Sequence, residues 1–252
     1  MMRLEIDIAA EAHENAITAL NLAALTRSDL LNLILQRSEV MFDRPKLGKI
    51  IKAWSAGDDG PINAVIDEMG VEIARRAAGV IRAEYRALEP LLQELAPKRL
   101  ADIGCGYAFF DLFAAQALGC HLLLIDLENN DRRHFGFAEE GSAYSSLNVA
   151  RSMLKDNGIS ARKITTLNPR DKSPETATPV DLVVSFLSCG FHYPVDIYLP
   201  FIEQAVTPNG AAIFDLRKNT ADEQAAKLAR FGSLTDLPAP PKARRVLLRK
   251  GG

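Results

Sequence analysis

Leu100-Ala101-Asp102-Ile103-Gly104-Cys105-Gly106-Tyr107-Ala108 decides how this chain is read. A short apolar run ends in an acid, two glycines follow one residue apart, and a helical pattern begins at about Phe110. Glycines at such a turn let the backbone bend sharply and let a ligand approach with no Cβ in the way. The helix N-terminus behind them offers unpaired N–H groups to an anionic group. Twenty residues past Gly106 a second apolar run, Leu122-Leu123-Leu124-Ile125, ends in Asp126. A carboxylate at that strand end can accept both hydroxyls of a ribose.

The same alternation continues downstream. Strands are expected at 99–103, 121–125, 163–167, 180–187, 211–215 and 245–249, with helices at 110–118, 142–156, 195–206 and 221–231. Short apolar runs alternating with helical stretches imply βαβ units, a mostly parallel sheet and helices on both faces. The fold class read from this is a doubly wound α/β domain over residues 98–252.

Upstream, residues 1–97 read as a helical extension. Ser28 and Asp29 stand before an apolar stretch as an N-terminal cap. Pro61 suits a first helical position. Ile62, Ile66, Met69, Ile73, Ala77, Val80 and Tyr85 recur at steps of three and four, one face of a long helix that Pro90 and Pro97 would end.

Composition narrows the function classes. Hydrophobic residues are 48% and charged residues 25% of 252, enough apolar material for a core, and the formal net charge of -2 supplies no basic field for nucleic acid. The apolar runs are too short to span a membrane, and the acidic N-terminus does not resemble a signal peptide. Cys105, Cys120 and Cys189 lack metal-ligand spacing, so no metal is expected, and their apolar settings suit a reducing, cytoplasmic location.

Asp102-Ile103-Gly104-Cys105-Gly106 resembles the first motif of the class I S-adenosylmethionine-dependent methyltransferases, acid-x-Gly-x-Gly. Pro179-Val180-Asp181-Leu182-Val183-Val184-Ser185 is similar to that family's fourth strand, Pro208-Asn209-Gly210-Ala211-Ala212-Ile213-Phe214 to its fifth with the preceding turn, and Val246-Leu247-Leu248 to its closing strand. The resemblance covers roughly the last 155 residues and implies a seven-stranded Rossmann-like sheet with S-adenosyl-L-methionine as cofactor. Ala108 stands where many members carry a third glycine, a place read as asking only for close packing. The resemblance further implies that Asp102 lies near the methionine part of the cofactor, that Gly104 and Gly106 cradle it, and that Asp126 holds the ribose. It also sets Asn168 against the adenine amine, although Asn168 before Pro169 also reads as turn chemistry. Ser185, at the end of the fourth strand, joins the cofactor set.

The competing fingerprint, Gly-x-Gly-x-x-Gly or Ala of nicotinamide dehydrogenases, would need a small residue where Phe109 stands, and it leaves Asp102 unexplained. A non-catalytic cofactor-binding module is the third reading. On the acceptor side, Ser188-Cys189-Gly190-Phe191-His192-Tyr193-Pro194 follows the fourth strand at the face where this architecture binds ligands. His192 is the expected base, or else a cap of the next helix. Tyr193, Tyr144 and Arg217 are the expected acceptor contacts, although Arg217 could instead pair with Asp215 at the surface. Asp181 reads as structural and Cys189 as a small buried hydrophobe.

Arg132, Arg133 and His134 lie in a long polar loop after Asp126. Phe135-Gly136-Phe137 through Tyr144, with Ser188 through Pro194, is similar to bacterial sugar O-methyltransferases. A small-molecule acceptor is expected, with neither nucleic acid nor membrane as partner. The N-terminal helices either pack on the sheet domain or on a second copy as a homodimer, or else cap the acceptor cleft.

Overall fold

The computed structural model describes residues 4–128 and 145–251. Helices α1 (Ile8–Ala12), α2 (Asn15–Thr18), α3 (Arg27–Gln36), α4 (Leu47–Ser55), α5 (Gly60–Met69) and α6 (Glu72–Leu95) precede the sheet. Strand β1 (Arg99–Ile103) leads to α7 (Phe109–Leu118), then β2 (His121–Ile125), α8 (Leu147–Asp156), β3 (Ile164–Leu167) and β4 (Val180–Ser185). These are followed by α9 (Leu199–Ala205), β5 (Val206–Arg217), α10 (Ala221–Leu228), β6 (Gly232–Leu237) and β7 (Ala243–Lys250).

The seven strands lie in the order β3-β2-β1-β4-β5-β7-β6. β1 to β5 pair in parallel, and β7 inserts antiparallel between β5 and β6. Order reverses between β1 and β4, so the carboxyl ends of those strands flank the switch point where such sheets bind ligands. An inserted antiparallel strand also departs from the 3-2-1-4-5-6 order of the dinucleotide-binding fold.

β1 and β2 fall where the apolar runs put them; other elements differ for local reasons. The α3 cap is Thr26, and Asp29 is the third helical residue of a capping box, its carboxylate accepting from the Thr26 N–H at 2.7 Å. The long helix of the apolar period is two, because Gly70 takes φ +53 between α5 and α6 while the period continues in phase across the break. Pro90 lies inside α6, which ends on a left-handed Ala96. Position 90 is exposed, so the Arg86 carbonyl that a proline cannot serve faces water. Residues 145 and 146 are not helical; Ser146 caps α8, its hydroxyl accepting from the Val149 N–H at 3.3 Å. β6 is an edge strand of Gly-Ser-Leu-Thr-Asp-Leu that pairs only with β7 and carries no apolar run to announce it.

Two apolar layers enclose the sheet. One joins Leu33, Ile34, Met41, Ile62, Ile73, Leu88 and Leu92 of the N-terminal helices to Leu100, Phe110, Leu122 and Leu182 in a single buried cluster. The other packs Ala101, Ile103, Val183, Phe214 and Val246 under Phe201, Ile202 and Leu228. Residues before position 98 therefore share a core with the sheet, which is what brings α3 to the glycine turn. Among the described residues no helix is long and apolar enough to cross a membrane.

Candidate active site

Gly104 and Gly106 adopt φ of +78° and +55°, the left-handed region that side chains resist. Space is equally decisive. A Cβ on Gly104 would fall 1.8 Å from Ser188 Oγ, and one on Gly106 would fall 2.9 Å from Gln36 Oε1. The loop after β4 and the end of α3 thus both close on this turn. Ala108 is left-handed too, with φ 58 and ψ 33, and is buried. The third-glycine place therefore asks for an unusual backbone as well as close packing, and alanine bears that strain.

The turn is tied to the end of β2. The Gly106 N–H donates to Asp126 Oδ2 at 2.9 Å, and the Glu128 N–H to Oδ1 at 3.0 Å. Burial pushes the Asp126 carboxyl above its usual range, against the pull of the Ser145 hydroxyl and those two N–H groups. Glu128 accepts from the Leu147 N–H at 3.0 Å and from Asn168 Nδ2 at 3.2 Å. Asn168 Oδ1 in turn accepts from the Arg170 N–H at 3.0 Å, so the turn chemistry read from Asn168-Pro169 is present.

Asp102 is only 4% exposed and Asp111 is fully buried. Asp102 shares with Leu100 the sheet face covered by α7, and Asp111 descends from that helix to meet it. Among the described residues Asp102 Oδ1 and both Asp111 oxygens lack a hydrogen-bond partner. Burial and a neighbouring carboxyl both disfavour the charged form of such an acid. Burial, then the charge of Asp111, drive Asp102 well above the usual carboxylate range, and burial pushes Asp111 up to about 7. Ser185 is also buried, its hydroxyl donating to the Ile103 carbonyl at 2.8 Å and accepting from the Cys189 N–H at 2.9 Å. It fastens the loop after β4 to the end of β1. Asp181 splices the opposite ends of the same strands, accepting from the Lys98 and Arg99 N–H groups at 3.0 Å each.

The segment 188–193 is a pinned turn. The Phe191 and His192 N–H groups both donate to the Ser188 carbonyl, and the Gly190 N–H to the Tyr193 carbonyl. Gln224, buried on α10, donates to the Gly190 carbonyl at 2.8 Å and accepts from the Val195 N–H at 3.1 Å. Tyr193 and Ser188 hydroxyls meet at 3.1 Å, and burial drives the Tyr193 phenol well above its usual range, so it packs rather than ionises. Cys189 is buried and its thiol likewise pushed up.

Half-buried His192 edges the Phe191 ring and lines a cavity of about 830 Å³ with Gln36, Leu187, Phe191, Arg217 and Lys242. Arg217 holds its guanidinium over the Phe191 ring at 4.7 Å, Nε donating to the Phe191 carbonyl at 2.7 Å. Burial lowers its pKa.

Asp215 does not pair with Arg217. It forms a buried bidentate pair with Arg245 at 2.7 and 2.8 Å, because its side chain points into the sheet's covered face while Arg217 leaves the strand end. Beside it lies a second buried pair, Arg37 with Glu84 at 2.8 and 2.9 Å. Burial alone would raise the Glu84 carboxyl; the Arg37 guanidinium overrides it, and the acid sits below its usual range. One pair ties the end of α3 to α6 and the other ties β5 to β7, with Arg37 and Glu84 lining the cavity.

Sequence reasoning missed Gln36, Ser188 as a contact of Gly104, and Asp111. The α3 residues Asp29, Asn32 and Gln36 recur at steps of three and four, one polar line on an otherwise apolar helix, and that was the available signal. Tyr144, Arg132, Arg133, His134 and Phe135 to Phe137 lie outside the described residues. Among the described residues no cluster of His, Cys, Asp or Glu is placed to hold a metal ion.

The strand order, the glycine turn and the acid at the end of β2 together define the fold of the class I S-adenosylmethionine-dependent methyltransferases. The chain is similar in structure to a protein from Nostoc punctiforme assigned as an O-methyltransferase, with TM-score 0.51 and 15% identity. That match covers 71% of this chain, which spans 59% of the other's length. The S-adenosylmethionine-dependent methyltransferase SibL matches with TM-score 0.49, 13% identity and 75% and 61% of the two chains. The O-methyltransferase TomG of Streptomyces achromogenes, solved with S-adenosylmethionine, matches with TM-score 0.45, 15% identity and 67% and 80%. At 15% identity the likeness to the Nostoc protein is one of fold. No family model and no curated protein matches the sequence.

Proposed function

We propose that this protein is an S-adenosylmethionine-dependent methyltransferase that methylates an oxygen of a small-molecule acceptor, a sugar or a compound of similar size. The observation that carries the reading is the turn itself. Gly104 and Gly106 hold a left-handed backbone that side chains resist, Asp126 accepts the Gly106 N–H from the neighbouring strand, and Gln36 links the turn to a cavity that presents His192. The residues fit the cofactor: Asp126 for the ribose hydroxyls, the glycines for the amino-acid part, and the Asp102 side of the acid pair for its cationic region.

When bound, the cofactor supplies an electrophilic methyl group on a sulfonium. The chain's task is then to align an acceptor oxygen and exclude water. His192 receives the proton that a hydroxyl acceptor must give up, and the pinned turn fixes its position. Arg217 and the apolar walls orient the acceptor body. The test is isothermal titration with S-adenosylhomocysteine followed by methyl-transfer assays across hydroxylated small molecules. Binding with turnover on a hydroxyl acceptor supports the reading. Binding without turnover on any acceptor would reduce it to a cofactor-binding module.

A further inference from the structure

We propose that Gln36 belongs to the cofactor site, and that helix α3 is held against the glycine turn so that this side chain contacts the cofactor's amino-acid end. The inference rests on the methyltransferase reading and adds a residue from outside the sheet domain.

The hub is Tyr107, next after Gly106 and 1% exposed. Its hydroxyl donates to Asp29 Oδ1 at 2.6 Å and accepts from Asn32 Nδ2 at 2.9 Å. Both donor and acceptor capacity of a buried phenol are thus committed to α3, and losing either partner leaves a polar atom stranded. Asp29 is itself fixed, since its other oxygen closes the capping box with Thr26. The helix therefore has one rotation and one height over the turn.

Its next residue on that face, one turn beyond Asn32, is Gln36. There the carboxamide stands 2.9 to 3.2 Å from where a Cβ on Gly106 would be. Gly106 has no side chain, and the Gln36 carboxamide packs directly on its backbone in the place where one would stand. It also lines the 830 Å³ cavity with His192, so one side chain borders both compartments between which a methyl group would pass. A carboxamide both donates and accepts, which suits a zwitterionic α-amino acid carrying an ammonium and a carboxylate. Arg37, the following residue, anchors the helix end through its buried pair with Glu84.

The test compares S-adenosylhomocysteine with methylthioadenosine, which shares the nucleoside and lacks the amino-acid part. Both are titrated calorimetrically into wild type, Gln36→Ala and the near-isosteric Gln36→Met, with thermal melting to establish folding. S-adenosylhomocysteine affinity is expected to fall about tenfold or more in both variants, the scale of a hydrogen bond to a charged group, with methylthioadenosine affinity unchanged. Equal losses for both ligands, or none for either, would overturn the proposal while leaving the methyltransferase reading intact. Failure of wild type to bind S-adenosylhomocysteine would remove both.

Discussion

Replacing Asp111 with asparagine isolates the energetic cost of the buried acid pair. Raising a carboxyl from 3.8 to about 7 by burial corresponds to about 4 kcal/mol of folding free energy. The sign follows from where the proton sits. The folded protein keeps the proton to higher pH than the unfolded chain, so stability present below pH 4 is lost as pH rises toward 7. Asparagine has no proton to lose, and its amide can donate to Asp102, whose Oδ1 has no hydrogen-bond partner in the wild type among the described residues. Urea denaturation followed by circular dichroism at pH 5, 6, 7 and 8 measures the difference. The variant's stability relative to wild type is expected to rise by about 2–3 kcal/mol between pH 5 and pH 8, most of it below pH 7. At pH 8 an advantage of about 2 kcal/mol corresponds to a melting temperature roughly 4–8 °C higher for a chain of this size. A gap that stays constant with pH, or a variant less stable at pH 8, would refute the raised Asp111 carboxyl.

Other outcomes follow from the same geometry. Gly104→Ala should abolish S-adenosylhomocysteine binding and cost about 2 kcal/mol or more, and Ser188→Gly added to it should restore part of the stability, leaving only the backbone strain; strict additivity by denaturation would contradict the clash of the new methyl group with Ser188. Glu84→Gln should destabilise by about 3–5 kcal/mol, since it leaves the buried Arg37 without its carboxylate, and a melting point within 2 °C of wild type, about a kcal/mol or less, would remove the pair as a tie between α3 and α6. His192→Ala should lower turnover about 100-fold or more with S-adenosylhomocysteine affinity unchanged, and a fully active variant would retire the base assignment. Asp126→Ala should weaken that affinity about tenfold or more, as expected for lost ribose hydrogen bonds to a charged group.

Backbone chemistry was the legible part of this chain. β1 and β2 are five-residue strands built on short apolar runs bounded by turns, and they fold within those bounds because nothing nearby competes. The glycine turn and Asp126 were legible for the same reason, being local or one βαβ unit apart. Long-range choices were not. Gly70 breaks a helix whose apolar phase never falters, and only its left-handed backbone reveals the break. β6 owes its strand state to β7, with Leu234 and Leu237 as its scant apolar content. Asp215 pairs with Arg245, which stands directly opposite it on β7, whereas Arg217 shares its face two residues on at the rim and lies opposite Ala243. Asp111 looked like an ordinary first-turn acid, and its burial against Asp102 is a property of how α7 crosses β1.

The most direct test of the central claim is ligand-induced stabilisation of the wild-type chain by S-adenosylhomocysteine and by NAD in parallel. At 100 times the dissociation constant a ligand that binds only the folded state adds about 2.7 kcal/mol, a rise of roughly 5–10 °C here. S-adenosylhomocysteine is expected to produce that shift with NAD producing none; stabilisation by NAD alone would contradict the account.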